Sequence, residues 1–333
     1  MHRRVHAAAT AVVGALVLIG ASCSAPASPS EPQRPVPTTA PTSTTTTTPG
    51  AATSIAVVSD YGFDHDHVSE LGDLVRSWDP DYVLTTGDNV QSPLSVPGTD
   101  KYDLVVGKHF CEFMADVAPG PHCPSGGGSA TNRFFPAIGN HDESDAGLEN
   151  YESYFTLPGA GTTSTSPTGS ELYYDVVLGP VHVFFLDGNA HYRERHLPTA
   201  EKVQTAIQRT WLETALRSST APWQVVALHY PAYGSSLDYG SQAFAQLPYA
   251  EWGADLVLNG HAAVYERVQQ GIPYVTNGLG GGHAKPFGFP APNSVVRFNE
   301  EIGAATRLTA TATSLRLEAI TVEGETIDRV DLG

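Results

Sequence analysis

From about residue 53 onward, short apolar runs recur and end in glycine, asparagine or aspartate. Five stand out: Ser54-Ile55-Ala56-Val57-Val58-Ser59, Tyr82-Val83-Leu84-Thr85-Thr86, Phe134-Phe135-Pro136-Ala137-Ile138, Gln224-Val225-Val226-Ala227-Leu228 and Leu256-Val257-Leu258-Asn259. Unbroken runs of aliphatic and β-branched residues at this length read as strands buried on both faces. Between the first two, Asp64 to Trp78 carries Val68, Leu71, Leu74 and Val75 at helical spacing and stops at Asp79-Pro80. Val203 to Leu216 is a second amphipathic helix, and Lys101 to Val117 is a further candidate. Strands alternating with helices predict an α/β sandwich.

The weaker patterns complete the outline. Tyr173 to Val177 and Val181 to Leu186 read as a hairpin about Gly179-Pro180 that starts a second sheet. His182, in the middle of that hairpin, reads as a packed or rim histidine rather than a ligand. Tyr274 to Asn277 is a short strand. Ala304 to Thr311 and Ser314 to Val322 alternate as an antiparallel pair, expected to close the second sheet. The Pro- and Gly-rich stretch from Pro119 to Gly128 reads as a surface loop.

The start of the chain has a different character. Met1-His2-Arg3-Arg4 is positive, and Ala7 to Ile19 is an apolar stretch too short to cross a bilayer. Gly20-Ala21-Ser22-Cys23 follows, small residues ending in cysteine. Residues 1–23 therefore read as an export signal of the bacterial lipoprotein type with Cys23 lipidated, or as a plain cleaved signal. Residues 24–52, dominated by Pro, Thr and Ser, form a disordered tether. One folded domain is expected over 53–333. The chain has three cysteines; with Cys23 lipidated, Cys111 and Cys123 remain as an even pair for a disulfide in an oxidising compartment. A net charge of −17 argues against a nucleic-acid-binding face. The expected location is extracytoplasmic, lipid-anchored to the membrane or secreted; oligomeric state is left open.

Candidate chemistry gathers where strands stop. Their ends deliver Asp60, Asp88, Asn140, His229 and His261 to one edge, the edge where open α/β sheets bind ligands. Aspartate, imidazole and an amide oxygen make a mixed nitrogen and oxygen set suited to Zn²⁺, Mn²⁺ or Fe²⁺.

The series Asp60-x-Gly62, Gly87-Asp88-Asn89, Gly139-Asn140-His141-Asp142, His229-Tyr230-Pro231 and Gly260-His261 with Tyr265-Glu266-Arg267 resembles the calcineurin-like metallophosphoesterases. Within them it is most similar to the short, single-domain purple acid phosphatases. The resemblance implies a four-layer αββα sandwich with two metals between the sheets. One site would be built from Asp88, Asn140, His229 and His261. The other would take Asp60 and share Asp88. His141 would act as general acid on the leaving group, and a small phosphorylated molecule would be the substrate.

The sequence departs from that pattern on the Asp60 side. Ala263 stands where the family has a second histidine, Gln91 where it has an iron-binding tyrosine, and Gly62 where relatives without the tyrosine carry histidine. Asp238-Tyr239 replaces a substrate-facing histidine. Two carboxylates alone suit a weakly held Mg²⁺, Mn²⁺ or Ca²⁺. The expected protein is thus a phosphoric ester hydrolase working chiefly with one tightly bound divalent metal. The alternatives are a non-catalytic metal-containing surface protein that binds a phosphorylated ligand, and a single-metal enzyme acting on a non-phosphate substrate. His65 and His67 are either a replacement ligand or surface histidines at a helix start. His283, on the loop after Gly278 to Gly282, either touches substrate or is a mobile loop histidine.

Overall fold

Two β-sheets, of six and seven strands, share one apolar core, and the first and last strands among the described residues both belong to the six-stranded one. The computed structural model describes residues 52–333 apart from 168, 200 and 201. The expected export segment with Cys23, and the tether up to residue 51, lie outside the described residues.

β1 (Thr53–Val58), β2 (Tyr82–Thr85) and β3 (Phe134–Pro136) run parallel in the first sheet. The second sheet opens with the antiparallel hairpin of β4 (Tyr174–Leu178) and β5 (Val181–Leu186). β6 (Trp223–Leu228) and β7 (Leu256–Asn259) then add in parallel. β8 (Tyr265–Gln270), β9 (Ile272–Asn277) and β10 (Ser294–Phe298) finish it in the order β10-β8-β9-β7-β6-β5-β4. The chain returns to the first sheet through β11 (Ala304–Ala310), β12 (Leu315–Thr321) and β13 (Thr326–Leu332), giving β13-β12-β11-β1-β2-β3.

The period of two explains why the central runs are apolar throughout. Along β5, Val181, Val183 and Phe185 enter the core shared by both sheets, while Phe184 and Leu186 pack on the other side with Trp211, Leu212 and Leu216. Those last three belong to the helix Val203–Ser218, which covers the outer face of the second sheet. On the first sheet the helix Asp66–Ser77 buries Val68, Leu71 and Val75, one stripe at 3.6-residue spacing. Helices thus sit outside two facing sheets.

The tail departs from expectation: β11 pairs antiparallel with β1, Ala56 opposite Arg307, so it closes the first sheet rather than the second. Alternation in Leu315–Thr321, buried and half-buried by turns, reports a strand covered on one face but not which sheet accepts it. The expected helix from Lys101 to Val117 is a mixed helical run over 100–113 that stops at Met114. From there the backbone bonds to the next loop instead, Val117 N–H to Gly126 C=O and Ser129 N–H to Met114 C=O. Cys111 and Cys123 form a disulfide, as expected.

Candidate metal centre

The turns that follow β1, β2, β3, β6 and β7 bring Asp60, Asp88, Asn140, His229 and His261 together at one end of the facing sheets. Three of these residues have backbones in the left-handed region: Asp60 at φ 55°, Asp88 at 53° and His261 at 66°. Such conformations cost about 1–3 kcal/mol each and persist where the surroundings over-determine them. The close approach also fixes the neighbouring glycines. A Cβ at Gly260 would lie 1.9 Å from Ser59 Oγ, and one at Gly139 would lie 2.2 Å from the Asp88 backbone nitrogen.

His229 is the hub. Its ring is fully buried, and Nδ1 stands 2.9 Å from the Thr86 carbonyl oxygen, to which it donates. That leaves Nε2 facing inward. Asn140 Oδ1 is 3.1 Å from this nitrogen, and His261 Nδ1 and Asp88 Oδ2 are each 3.2 Å away. One ring nitrogen with at most one proton cannot bond to both oxygens and the facing imidazole nitrogen, whereas a cation satisfies all four atoms at once. Donors set about 2.0–2.2 Å from one ion stand roughly 3–3.5 Å from one another, which is the spacing seen. Ligand atoms of Asp88, His229 and His261 all fall within 4.8 Å of each other. The donor set therefore fits one divalent cation, with the Thr86 carbonyl fixing the imidazole that presents Nε2.

The protein groups by themselves set the local electrostatics. Burial alone would lower His229, but the Asp88 and Asp60 carboxylates outweigh it and bring the imidazole up to about 9. Burial would raise Asp88, yet the His229 imidazole holds that carboxyl below its ordinary value. Burial, reinforced by His229, presses His261 down to about 3. Burial also lifts Asp60 to about 7, against the pull of His229.

Asp60 stands differently from the other four. Its Oδ2 accepts from Ser59 Oγ at 2.7 Å and from the His261 backbone N–H at 2.9 Å, so protein donors already engage that oxygen. Around it, Gln91 and Ala263 line a cavity of about 440 Å³ together with Asp88, Asn140, His141, His261 and His283. Position 62 admits no side chain, since a Cβ there would lie 2.5 Å from the Gln91 backbone nitrogen.

His141 faces the same cavity with Nε2 4.0 Å from Asp88 Oδ2, and its backbone N–H donates to Asp88 Oδ1 at 2.9 Å. Its Nδ1 is 2.5 Å from Asp145 Oδ2. Sequence reasoning passed over Asp145, although its place four residues after His141 puts it one helical turn away. Asp145 also accepts from the Ser92 N–H at 2.9 Å. Asp142, quoted in the motif without a role, is fully buried and joins two of the site's turns. It accepts from Gly139 N–H at 2.8 Å and from Asn89 Nδ2 at 3.0 Å, and burial lifts its carboxyl to about 7.

The other histidines sort themselves plainly. His283 is exposed, lines the cavity and meets Phe63 edge-on with ring centroids 5.2 Å apart. His65 packs against Phe63, His67 and His283, and His67 Nδ1 lies 3.3 Å from Glu70; neither joins the cluster. His182 is held between Asp175 at 2.8 Å and Ser219 at 2.9 Å, the packed histidine its mid-strand position implied. Tyr239 covers His261, ring centroids 4.3 Å apart. Lys285, which the sequence did not single out, reaches the same cavity.

Facing sheets with strand-end carboxylates and imidazoles at one edge belong to a known family. A family model described as calcineurin-like phosphoesterase matches residues 53–265, and the chain belongs to that family. Among curated relatives, purple acid phosphatase 15 of Arabidopsis thaliana is 26% identical over 263 residues, covering 69% of this chain. The same match covers 45% of that protein, so the chain spans less than half the length of this relative. Among solved structures, GAP50, described as the anchor in the inner membrane complex of Plasmodium, superposes with a TM-score of 0.61 at 15% identity, covering 85% of this chain and 89% of that one. PhoD superposes with a TM-score of 0.52 at 13% identity, over 85% of this chain and 69% of that one. These two likenesses show the fold.

Proposed function

We propose that the chain is an exported, metal-dependent phosphoric ester hydrolase, anchored to the membrane through lipid on Cys23 and working chiefly with one divalent cation. Asp88, Asn140, His229 and His261 hold that cation, which is zinc, manganese or iron. Asp60, with the shared Asp88, offers at most a second and weaker position. When bound, the cation supplies a Lewis acid that polarises a phosphoryl oxygen and acidifies a water molecule.

The remaining chemistry belongs to the chain. His141 delivers a proton from Nε2 to the departing alcohol oxygen while Asp145 fixes the ring through Nδ1. His283 and Lys285, on the cavity wall, meet the phosphoryl oxygens of the substrate. The observation that carries this reading is the convergence of three ligand-type atoms within 3.2 Å of His229 Nε2.

Metal analysis of purified protein, paired with a panel of phosphate esters, tests it. About one equivalent of a divalent metal and release of phosphate from at least one ester is the expected result. Metal without turnover on any ester favours the second reading, a surface protein that holds a cation to bind a phosphorylated ligand. The depleted Asp60 side is the observation that keeps this reading in play. Replacing Cys23 with Ala should move the protein from the membrane to the soluble fraction; unchanged membrane association rejects the lipid anchor.

A further inference from the structure

The atoms gathered at His229 open onto two cavities rather than one. The second, of about 600 Å³, shares Asn140, Tyr239 and His261 with the first. Its walls are of another kind. The first is lined by Asp60, Asp88, His141 and His283, whereas the second adds Tyr192 and Tyr230 with Arg193, Arg195 and Glu143. The rings form a run leading away from the cluster: Tyr239 to His261 at 4.3 Å, His261 to Tyr230 at 4.7 Å and Tyr230 to Tyr192 at 5.1 Å between centroids. Arg193 is committed to ion pairs with Glu143 and Asp187. Arg195 donates from Nε to His196 Nε2 at 3.1 Å, and its guanidinium sits 5.8 Å over the Tyr192 ring.

A phosphoryl group held at the shared residues therefore has two exits. His141 lines only the first, so the alcohol that departs with its proton lies there. A monoester leaves the second cavity unused. A diester fills both, keeping its second ester arm on phosphorus while the first is lost. A pocket of this volume is of small-molecule size, and an aromatic wall selects a flat ring.

Resting on the hydrolase reading above, we propose that the substrate is a phosphodiester whose retained arm ends in an aromatic ring. That ring lies against Tyr192 and Tyr239, and Arg195 meets an anionic or oxygen substituent at its far end. Water adds to phosphorus and the bond to the first alcohol breaks. The alcohol leaves with a proton from His141, and the retained arm stays on the product as a monoester.

The test holds the leaving group constant. 4-Nitrophenyl phenyl phosphate and 4-nitrophenyl methyl phosphate both release 4-nitrophenolate and differ only in the retained arm. With the metal-loaded protein, kcat/KM divided by each uncatalysed rate should favour phenyl over methyl about tenfold, the scale of one aromatic contact. Tyr192→Leu should bring that ratio close to one, while Tyr192→Phe keeps it. Tyr239→Leu, at a partly exposed position, should also lower it, with metal content measured alongside because the ring covers His261. Arg195→Gln should remove any added preference for a 4-carboxyphenyl arm. A wild-type ratio near one, or a ratio unmoved by Tyr192→Leu and Tyr239→Leu, overturns the subsite while leaving a monoesterase intact. No turnover of these or of 4-nitrophenyl phosphate by metal-loaded protein overturns both readings.

Discussion

The two sides of the pocket are built from the same device, a turn at the end of a strand, and they differ in whether their donor atoms are spent. On the His229 side, Asn140 Oδ1, His261 Nδ1 and Asp88 Oδ2 crowd one ring nitrogen that cannot bond to all of them. On the Asp60 side, Oδ2 is engaged by Ser59 and the His261 backbone, and the neighbours are a glycine without room, a glutamine and an alanine. What separates them is how many donor atoms converge: three crowd His229 Nε2, whereas on the other side a single carboxylate stands with one oxygen already engaged by protein donors.

The sharpest test of that contrast is also the largest effect. His229→Ala or Asn140→Ala should weaken metal binding by more than about a hundredfold, beyond the loss seen when only an outer partner of a ligand is removed. Asp60→Asn should cost far less. Equal losses from both sides, read by titration with a metal indicator, would erase the distinction.

Next in size is the proton donor. His141→Ala should lower turnover of an alkyl ester by about 10²–10⁴-fold with metal content unchanged. Asp145→Asn should produce a smaller fall, and one that shifts the pH profile, because it disturbs the ring's orientation and not its presence. Loss of metal in either variant would reassign these residues to the cluster.

Rebuilding the depleted side should have a moderate effect. Ala263→His combined with Gln91→Tyr should raise metal content from about one toward about two per chain, and with iron should add visible absorption. Gly62→His should fail to do so and should destabilise the fold, because its Cβ would lie 2.5 Å from the Gln91 backbone nitrogen. A stoichiometry that stays at one means that the hydrogen bonds to Asp60 close that side.

The smallest effect is on stability. His229 is raised to about 9, and Asp60 and Asp142 to about 7. Each group therefore holds its proton more tightly folded than unfolded, and its stabilising contribution is complete only below its ordinary value, about 6.5 for histidine and 3.9 for aspartate. That contribution is lost as pH rises through the raised value. Below about pH 6.5 the depressed His261 and His109 oppose the two carboxyls, so protein kept in chelator should lose melting temperature mainly between about pH 6.5 and 9, the carboxyls acting first and His229 last. Added zinc should reverse the slope, since the cation competes with the proton on Nε2. A flat profile in chelator would show that the two sides do not interact through charge.

Much of this was legible in the sequence for a physical reason. Strands buried on both faces leave continuous apolar runs, and the turns that end them need Gly, Asn or Asp, so both the parallel strands and the residues at their ends announce themselves. What stayed hidden is what depends on partners. β8, β10 and β13, as Tyr-Glu-Arg-Val-Gln-Gln, Ser-Val-Val-Arg-Phe and Thr-Ile-Asp-Arg-Val-Asp-Leu, carry charged residues whose partners meet them only once the fold exists. Arg267 and Tyr265 both meet Asp328, and Glu266 accepts from Ser235 and Ser294. The Tyr265-Glu266-Arg267 part of the motif thus turns out to anchor the sheets to one another. Asp145 was missed because its importance lies in a contact with His141, not in any pattern of its own.

The placement of β11 beside β1 has a consequence for how the molecule comes into being. The strand that leads to Asp60 is flanked on one side by β2, made soon after it, and on the other by Ala304–Ala310. A ribosome must therefore have delivered nearly the entire domain before that strand gains its second neighbour. Until then the turn bearing Asp60 hangs from a sheet with a raw edge, and a chain cut short before residue 304 should be handled by the cell as unfinished.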